Sequence, residues 1–156
     1  MAGLKTATLS EMTDPRIHRI YAHWMDKRGS RPMPARQDID AVDLTYCLGY
    51  VCLIEVLRDP GLRFRFRVDG SNLADLTGFE MTGKYADEIP DLGYRDLVVD
   101  LYGQVVSGKE PIFRREDESW NDTGMKIESI SLPLSSDSQT VDYILELIVP
   151  VDTWIA

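Results

Sequence analysis

The chain offers few residues of the types that carry out metal or nucleophilic chemistry. Its two histidines, His18 and His23, stand five residues apart on a predicted helix and point to different sides, unlike the i, i+4 pair of a helical metal site. Its two cysteines, Cys47 and Cys52, lack nearby Cys or His partners, which favours buried free thiols over zinc binding or redox chemistry. No nucleophile-elbow, phosphate-loop or zinc-protease motif occurs. We therefore predict no catalytic residues and no metal site.

Glu128 is the acidic residue with the best prospect of chemistry. It falls on a predicted strand, Lys126 to Leu134, and shares strand parity with Ile130. A carboxylate in an apolar cavity has a raised pKa and could act as an acid or a base. The alternative is a solvated glutamate at the rim of the strand. The first interpretation supports one hypothesis for function, an α+β enzyme or carrier for a hydrophobic substrate.

A ligand cavity is the other possible site. Strand parity and the apolar stripe of the longest predicted helix place four side chains toward one cavity: Phe66, Tyr102, Ile130 and Tyr143. We predict that they line it between the sheet and the helices at 73–105, with Glu128 near its mouth. The two phenols can hydrogen-bond a ligand. The alternative is that the same side chains fill a dry core.

Composition and charge exclude several classes of partner. The 156 residues suffice for one domain with a core. The net charge is −9 and no cluster of Lys and Arg offsets it, so we expect no binding to nucleic acid. No apolar run approaches the roughly 20 residues that span a bilayer, and the first residues lack the apolar core of a signal peptide. We expect a cytoplasmic protein with no membrane partner.

The first element that would position these residues is a predicted helix from Asp14 to Arg28, with Pro15 in its first turn. Its apolar face repeats at helical spacing and contains Ile17, Ile20, Tyr21, Trp24 and Met25. Such a face can cover the protein's own sheet, form a dimer, or do both. We expect packing on the sheet, and we also predict a homodimer contact through Ile17, Ile20, Tyr21 and Trp24.

Five strands are predicted, at 50–57, 64–69, 111–120, 126–134 and 141–148, and the clearest helix runs from Tyr94 to Gly108. In the last strand, Asp142 and Glu146 are taken to face water, which turns Tyr143 inward. The order of helix, two strands, short helices, long helix and three strands indicates an α+β fold.

Two stretches resemble a known family. Residues 64–84, FRFRVDGSNLADLTGFEMTGK, read as strand, turn, short helix, Gly, apolar loop, Gly. Residues 34–44, PARQDIDAVDL, match the family phrase "P…R.DIDP.DL" except that Ala41 replaces its second proline. The chain thus resembles PAS domains, in particular the short stand-alone PAS proteins of alphaproteobacteria, over roughly Asp14 to Val149.

The resemblance implies a five-stranded antiparallel sheet of order 2-1-5-4-3 with helices on one face and an N-terminal helical extension. It divides the chain into a flexible tail at 1–9, an extension and linker at 10–47, and a PAS-like domain at 48–152. Flavin-type photosensors of the family carry a Cys in an N-C-R-F-L-Q phrase, which is missing here. Haem-binding members use a His on the long or preceding helix, and residues 85–108 contain none. Haem and flavin are therefore unsupported, and the identity of any cofactor stays open.

The resemblance also implies a bacterial sensor or regulatory protein without catalytic activity. It would bind a small ligand, a protein partner or both, and signal through contacts with an unidentified signalling protein or its own dimer. We expect the N-terminal helix to shift against the sheet in response. The alternatives are the Glu128 enzyme or carrier and a ligand-free interaction module.

Overall fold

One antiparallel sheet organises the molecule, with its strands in the order β2-β1-β5-β4-β3. The computed structural model describes residues 4–120 and 125–151. The strands are β1 Val51–Leu57, β2 Arg63–Asp69, β3 Ile112–Trp120, β4 Met125–Leu134 and β5 Tyr143–Val151. The α-helices of this part of the chain are α1 Pro15–Arg28, α2 Ser71–Thr77 and α3 Leu92–Gly108. The predicted α+β fold and its strand order are confirmed.

Strand pairing determines which side chains share a face of the sheet. Ser131 of β4 pairs with Glu146 of β5, and Glu146 pairs with Cys52 of β1. Because side chains alternate along a strand, these three residues point to the same face. Ile130 and Leu147, which pair with each other, point to the opposite face. We name the two faces the α3 face and the α1 face, after the helices that cover them.

Helix α3 covers the α3 face with an apolar stripe. The buried residues of the helix are Val98, Leu101, Tyr102 and Val105. Their spacing of three and four residues keeps them on one side of the helix. The Tyr102 ring makes edge contacts with Phe64 and Phe66 of β2, at centroid distances of 5.5 and 6.2 Å. These contacts tie the helix to the β2 side of the sheet.

Helix α1 covers the opposite face. Ile17 and Ile20 are fully buried and Trp24 is only 2% exposed. The Trp24 indole Nε1 donates a hydrogen bond of 2.9 Å to the carbonyl oxygen of Pro133 on β4. The apolar face of α1 therefore packs on its own sheet, as expected. A homodimer through the same residues stays a prediction, and it would require α1 to leave the sheet.

The N-terminus of α1 is anchored by Glu128 of β4, which is fully buried. Its carboxylate accepts hydrogen bonds from the backbone N–H of Thr13 at 2.9 Å, the Thr13 hydroxyl at 2.7 Å and the N–H of Asp14 at 2.8 Å. The Arg115 guanidinium lies 3.7 Å away. Backbone N–H groups at the start of a helix lack partners within it and favour a negative charge. Glu128 supplies that charge from inside the sheet.

Both edge strands are partly covered by segments from outside the sheet. The Ala7 N–H donates to the carbonyl oxygen of Phe113 on β3 at 2.7 Å. On β2, the Phe66 N–H donates to Lys84 O at 2.8 Å, and the Gly83 N–H donates to Phe66 O at 2.7 Å. Covered edges are less able to pair with other chains. Ala7 belongs to the predicted tail at 1–9, whose flexibility stays a prediction.

The N-terminal segment and the sheet share one hydrophobic core. Met33 and Leu44, which lie between α1 and β1, are buried in the same cluster as Ile54 and Leu147 of the sheet. The division of the chain into an extension at 10–47 and a domain at 48–152 stays a prediction.

We expect Glu128→Gln to lower the free energy of unfolding by about 1–3 kcal/mol, because the new amide group would place a donor against the buried N–H groups of Thr13 and Asp14. Hydrogen exchange should accelerate in α1 more than in β5. The control Glu110→Gln changes an exposed residue and should alter stability by less than about 0.5 kcal/mol. Unchanged stability and unchanged exchange in α1 would show that Glu128 is no anchor.

Candidate functional site

A small cavity lies between helix α3 and the α3 face of the sheet. Its polar lining comes from three strands and from the helices α2 and α3: Cys52, Asp69, Thr77, Tyr94, Tyr102 and Glu146. Its volume is about 20 Å³, which is room for about one group the size of a water molecule. A larger ligand can enter only if the surrounding wall moves.

The apolar wall of this cavity is formed mainly by α2 and the loop that follows it. The apolar wall residues from this part of the chain are Leu73, Phe79, Met81 and Ile89. Helix α2 ends at Gly78, whose φ of 82° is left-handed, and Gly83 has a similar φ of 84°. Residues with side chains rarely adopt this conformation. The residues of the Gly, apolar loop, Gly pattern therefore lie in the segment that forms the wall of the cavity.

Glu146 is the buried acid of the cavity and is 3% exposed. The Tyr102 hydroxyl donates to its Oε1 at 2.5 Å and the Ser131 hydroxyl donates to its Oε2 at 3.2 Å. Burial raises the pKa of Glu146 to about 7, although the two hydrogen bonds and the charge of Arg114 act in the opposite direction. Both protonation states of this carboxyl are therefore populated near neutral pH.

The neighbours of Glu146 are weak acids as well. Asp69 accepts a hydrogen bond from a backbone N–H of the wall at 3.0 Å and one from the Cys52 thiol at 3.4 Å, and burial raises its pKa. Burial and the charges of Glu146 and Asp69 raise the pKa of the Cys52 thiol well above its ordinary value. Burial does the same to the pKa of the Tyr94 and Tyr102 phenols. The thiol and the phenols therefore stay protonated, and the Cys52 and Tyr102 protons are shared with Asp69 and Glu146.

The structure brings together two of the five predicted ligand-binding residues. Phe66 and Tyr102 both line the cavity. Ile130 and Tyr143 belong to the α1 face, on the other side of the sheet, as their register with Leu147 and Leu134 shows. The predicted arrangement is corrected accordingly, because it assumed one buried face and the sheet has two.

The predicted place of Glu128 at the cavity mouth is also corrected. This residue lies on the α1 face, where its carboxylate oxygens accept hydrogen bonds from Thr13 and Asp14. These donors account for its burial without a substrate. The structure thus removes the parity argument for Glu128 as an acid or base in the cavity.

Sequence reasoning missed most of the polar lining of the cavity. The rule that charged residues face water assigns Glu146 to the wet side of its strand. The available signal was the run from Ile144 to Val149, in which Glu146 is the only polar residue. Continuous apolar runs are typical of strands that are buried on both faces. A single carboxylate within such a run must be buried as well.

Residues 4–120 and 125–151 contain neither a group of side chains placed to hold a metal ion nor a helix able to cross a membrane. No group of three or more His, Cys, Asp and Glu side chains there is placed to hold a metal ion. His18 instead donates from Nε2 to the carbonyl oxygen of Met12 at 2.7 Å. No helix in the same ranges has the length and apolar character needed to cross a membrane.

The Glu146 carboxyl predicts a specific dependence of stability on pH. Its pKa is about 7 in the folded protein against an ordinary value of 4.5, so the folded state holds the proton more tightly. The resulting stabilisation is full below the ordinary value and is lost as the pH rises through about 7, with a total of roughly 3 kcal/mol at most. Urea denaturation from about pH 5.5 to about pH 8.5 should show this decline.

Glu146→Gln imitates the protonated carboxyl and should lose less stability than the wild type across that range. The exposed control Glu110→Gln should follow the wild type. If the free energy of unfolding changes with pH in the same way for the wild type and Glu146→Gln, that result would contradict a pKa of Glu146 near neutrality.

Comparison with known proteins agrees with this architecture. A family model described as the PAS domain matches residues 12–149. The matched stretch contains all of α1, α2 and α3 and extends through most of β5. No curated protein and no solved structure gives a significant match. Because the model covers well over half of the chain, the chain belongs to the PAS domain family.

Proposed function

We propose that this PAS domain is a sensor that binds a small ligand beside Glu146 and signals through contacts with another protein. PAS domains are in general sensory or regulatory modules and are typically non-enzymatic. The observation that carries the proposal is the buried Glu146 carboxyl, which is held by Tyr102 and Ser131 in the cavity between α3 and the sheet. A buried acid lowers stability when it is charged. A functional role for the acid supplies a reason for its presence there.

The chemistry of the cavity indicates the kind of ligand. A polar group of the ligand would bind Glu146 and the Tyr102 hydroxyl, while an apolar part would contact Phe66 and Ile148. The volume of about 20 Å³ limits the ligand to about one group the size of a water molecule unless the wall opens. The wall from α2 to Ile89 is the segment that we expect to move, because two left-handed glycines flank its central loop.

Strand β4 provides a physical connection from the cavity to helix α1. On the α3 face, the Ser131 hydroxyl donates to Glu146. Two residues further along the same strand, the Pro133 carbonyl accepts the hydrogen bond of Trp24. On the α1 face, Glu128 holds the N-terminus of the helix. A ligand that displaces Ser131 from Glu146 would shift β4 and thereby change how α1 packs.

A second candidate function is an interaction module without a ligand. The small volume of the cavity favours it, because about 20 Å³ holds no more than about one group the size of a water molecule. The partner in either case is an unidentified signalling protein or a second copy of the chain. Occupancy of the cavity separates the two candidates.

Native mass spectrometry of the freshly purified protein should show extra mass that disappears on denaturation. Tyr102→Phe should reduce this retained mass several-fold, because it removes the hydroxyl that faces Glu146. Tyr143→Phe is the matched control, since it deletes the same group on the opposite face of the sheet. Equal retention in both variants, or no retained mass in the wild type, would favour the ligand-free module.

Deletion of residues 1–29 should convert the protein into larger assemblies or insoluble material. The deletion would expose Ile130, Leu132 and Leu147 on the α1 face, which are all fully buried in the intact chain. Light scattering coupled to size-exclusion chromatography measures this change. A truncated protein that stays monodisperse, with the same number of chains per particle, would show that α1 does not protect this face.

A further inference from the structure

We propose that the groove between helix α1 and the start of β3 is a docking surface for an acidic segment of a partner protein that also carries an apolar side chain. This inference rests on the proposed signalling through protein contacts and names the surface and the class of partner. It does not depend on a ligand in the cavity.

The groove has an apolar and largely aromatic floor. Tyr21, Trp24 and Met25 of α1 form one side, and Phe113 of β3 forms the other. The Tyr21 ring meets the Phe113 ring at 5.5 Å in an edge contact, and the Trp24 ring is held by its hydrogen bond to Pro133. The floor is therefore formed before any partner binds. The groove has a volume of about 410 Å³, which is enough to accept apolar side chains of a peptide.

Two cations flank this floor. The Arg28 guanidinium lies 5.5 Å from the centre of the Trp24 ring, and its buried Nε has no hydrogen-bond partner among residues 4–120 and 125–151. Lys109 is exposed at the end of α3. Neither forms an ion pair within these ranges. Glu110 is the single acidic residue in the lining of the groove.

Unpaired cations beside an apolar floor favour a carboxylate that arrives next to an apolar side chain. The attraction is local, because the chain as a whole carries a charge of −9. Aromatic residues, Met and Arg are the types enriched in protein interfaces, and all of them occur here. The floor under the occupant includes Trp24, whose ring is bonded to β4. A partner in this groove would therefore be sensitive to how α1 packs.

The test uses a phage-displayed library of short random peptides selected on the full-length protein. We expect the bound peptides to combine Asp or Glu with Leu, Phe or Trp a few positions away. Fluorescence anisotropy with a synthetic copy of the best peptide should show weaker binding as salt is added, because exposed charges are screened. Peptides without acidic residues, or binding that does not respond to salt, would overturn the proposal.

Charge changes at the rim give the sharper comparison. Lys109→Glu should weaken binding of the selected peptide by roughly threefold to tenfold, and Glu110→Lys should strengthen it by a similar factor. Both residues are exposed, and a thermal unfolding curve that matches the wild type is required of each variant because Lys109 caps the C-terminus of α3. Lys84→Glu is the matched control, because it reverses an exposed cation beside β2 at the other edge of the sheet. Equal effects of Lys84→Glu and Lys109→Glu would exclude the groove.

Arg28→Glu should weaken binding further than Lys109→Glu, provided that its thermal unfolding curve matches the wild type. A wild-type dimer that Lys109→Glu dissociates in light scattering would identify a second copy as the occupant and overturn the proposal. The groove variants should leave the ligand mass of native mass spectrometry unchanged. Failure of docking with that mass retained therefore rejects this inference alone, and loss of the mass with docking intact rejects only ligand sensing.

Discussion

Burial of the central strands on both faces is the constraint from which the rest of the structure follows. Along β4, residues 127–134 are all buried, and β5 is buried from residue 144 to residue 149. Helix α3 covers one face and α1 covers the other, so no side chain in these stretches can rely on water. Each polar group there needs a partner inside the protein. The sheet contains two glutamates under this constraint, Glu128 and Glu146, on opposite faces.

The two glutamates meet the constraint in different ways. Glu128 accepts hydrogen bonds from two backbone N–H groups and a hydroxyl, and Arg115 lies close by. It anchors a helix and is the structural acid of the pair. Glu146 accepts hydrogen bonds from two hydroxyl groups, and burial raises its pKa to about 7. Its state can change under ordinary conditions, and this is why we propose the α3 face as the place for sensing and the α1 face as the place for output.

Local features of the fold were predictable because they depend on neighbouring residues. Pro15 and the apolar spacing after it defined α1, and Gly78 marked the end of α2. The strand order came from the family resemblance. The faces to which the side chains of β4 and β5 point were not predictable from alternation, because that rule assumes that one face of the sheet is exposed to water. The alternation rule placed Glu128 in the cavity and Glu146 in water. In the structure, α1 buries the face that carries Glu128, and Glu146 lines the cavity.

The most direct test of this account is an NMR titration of the protein with carbon-13 in its glutamate carboxyl groups. The account predicts that Glu146 titrates with a midpoint near 7. The indole N–H signal of Trp24 should move with the same midpoint, because β4 connects the two sites. A Glu146 midpoint near the ordinary value of 4.5, or a Trp24 signal that ignores the titration, would contradict it.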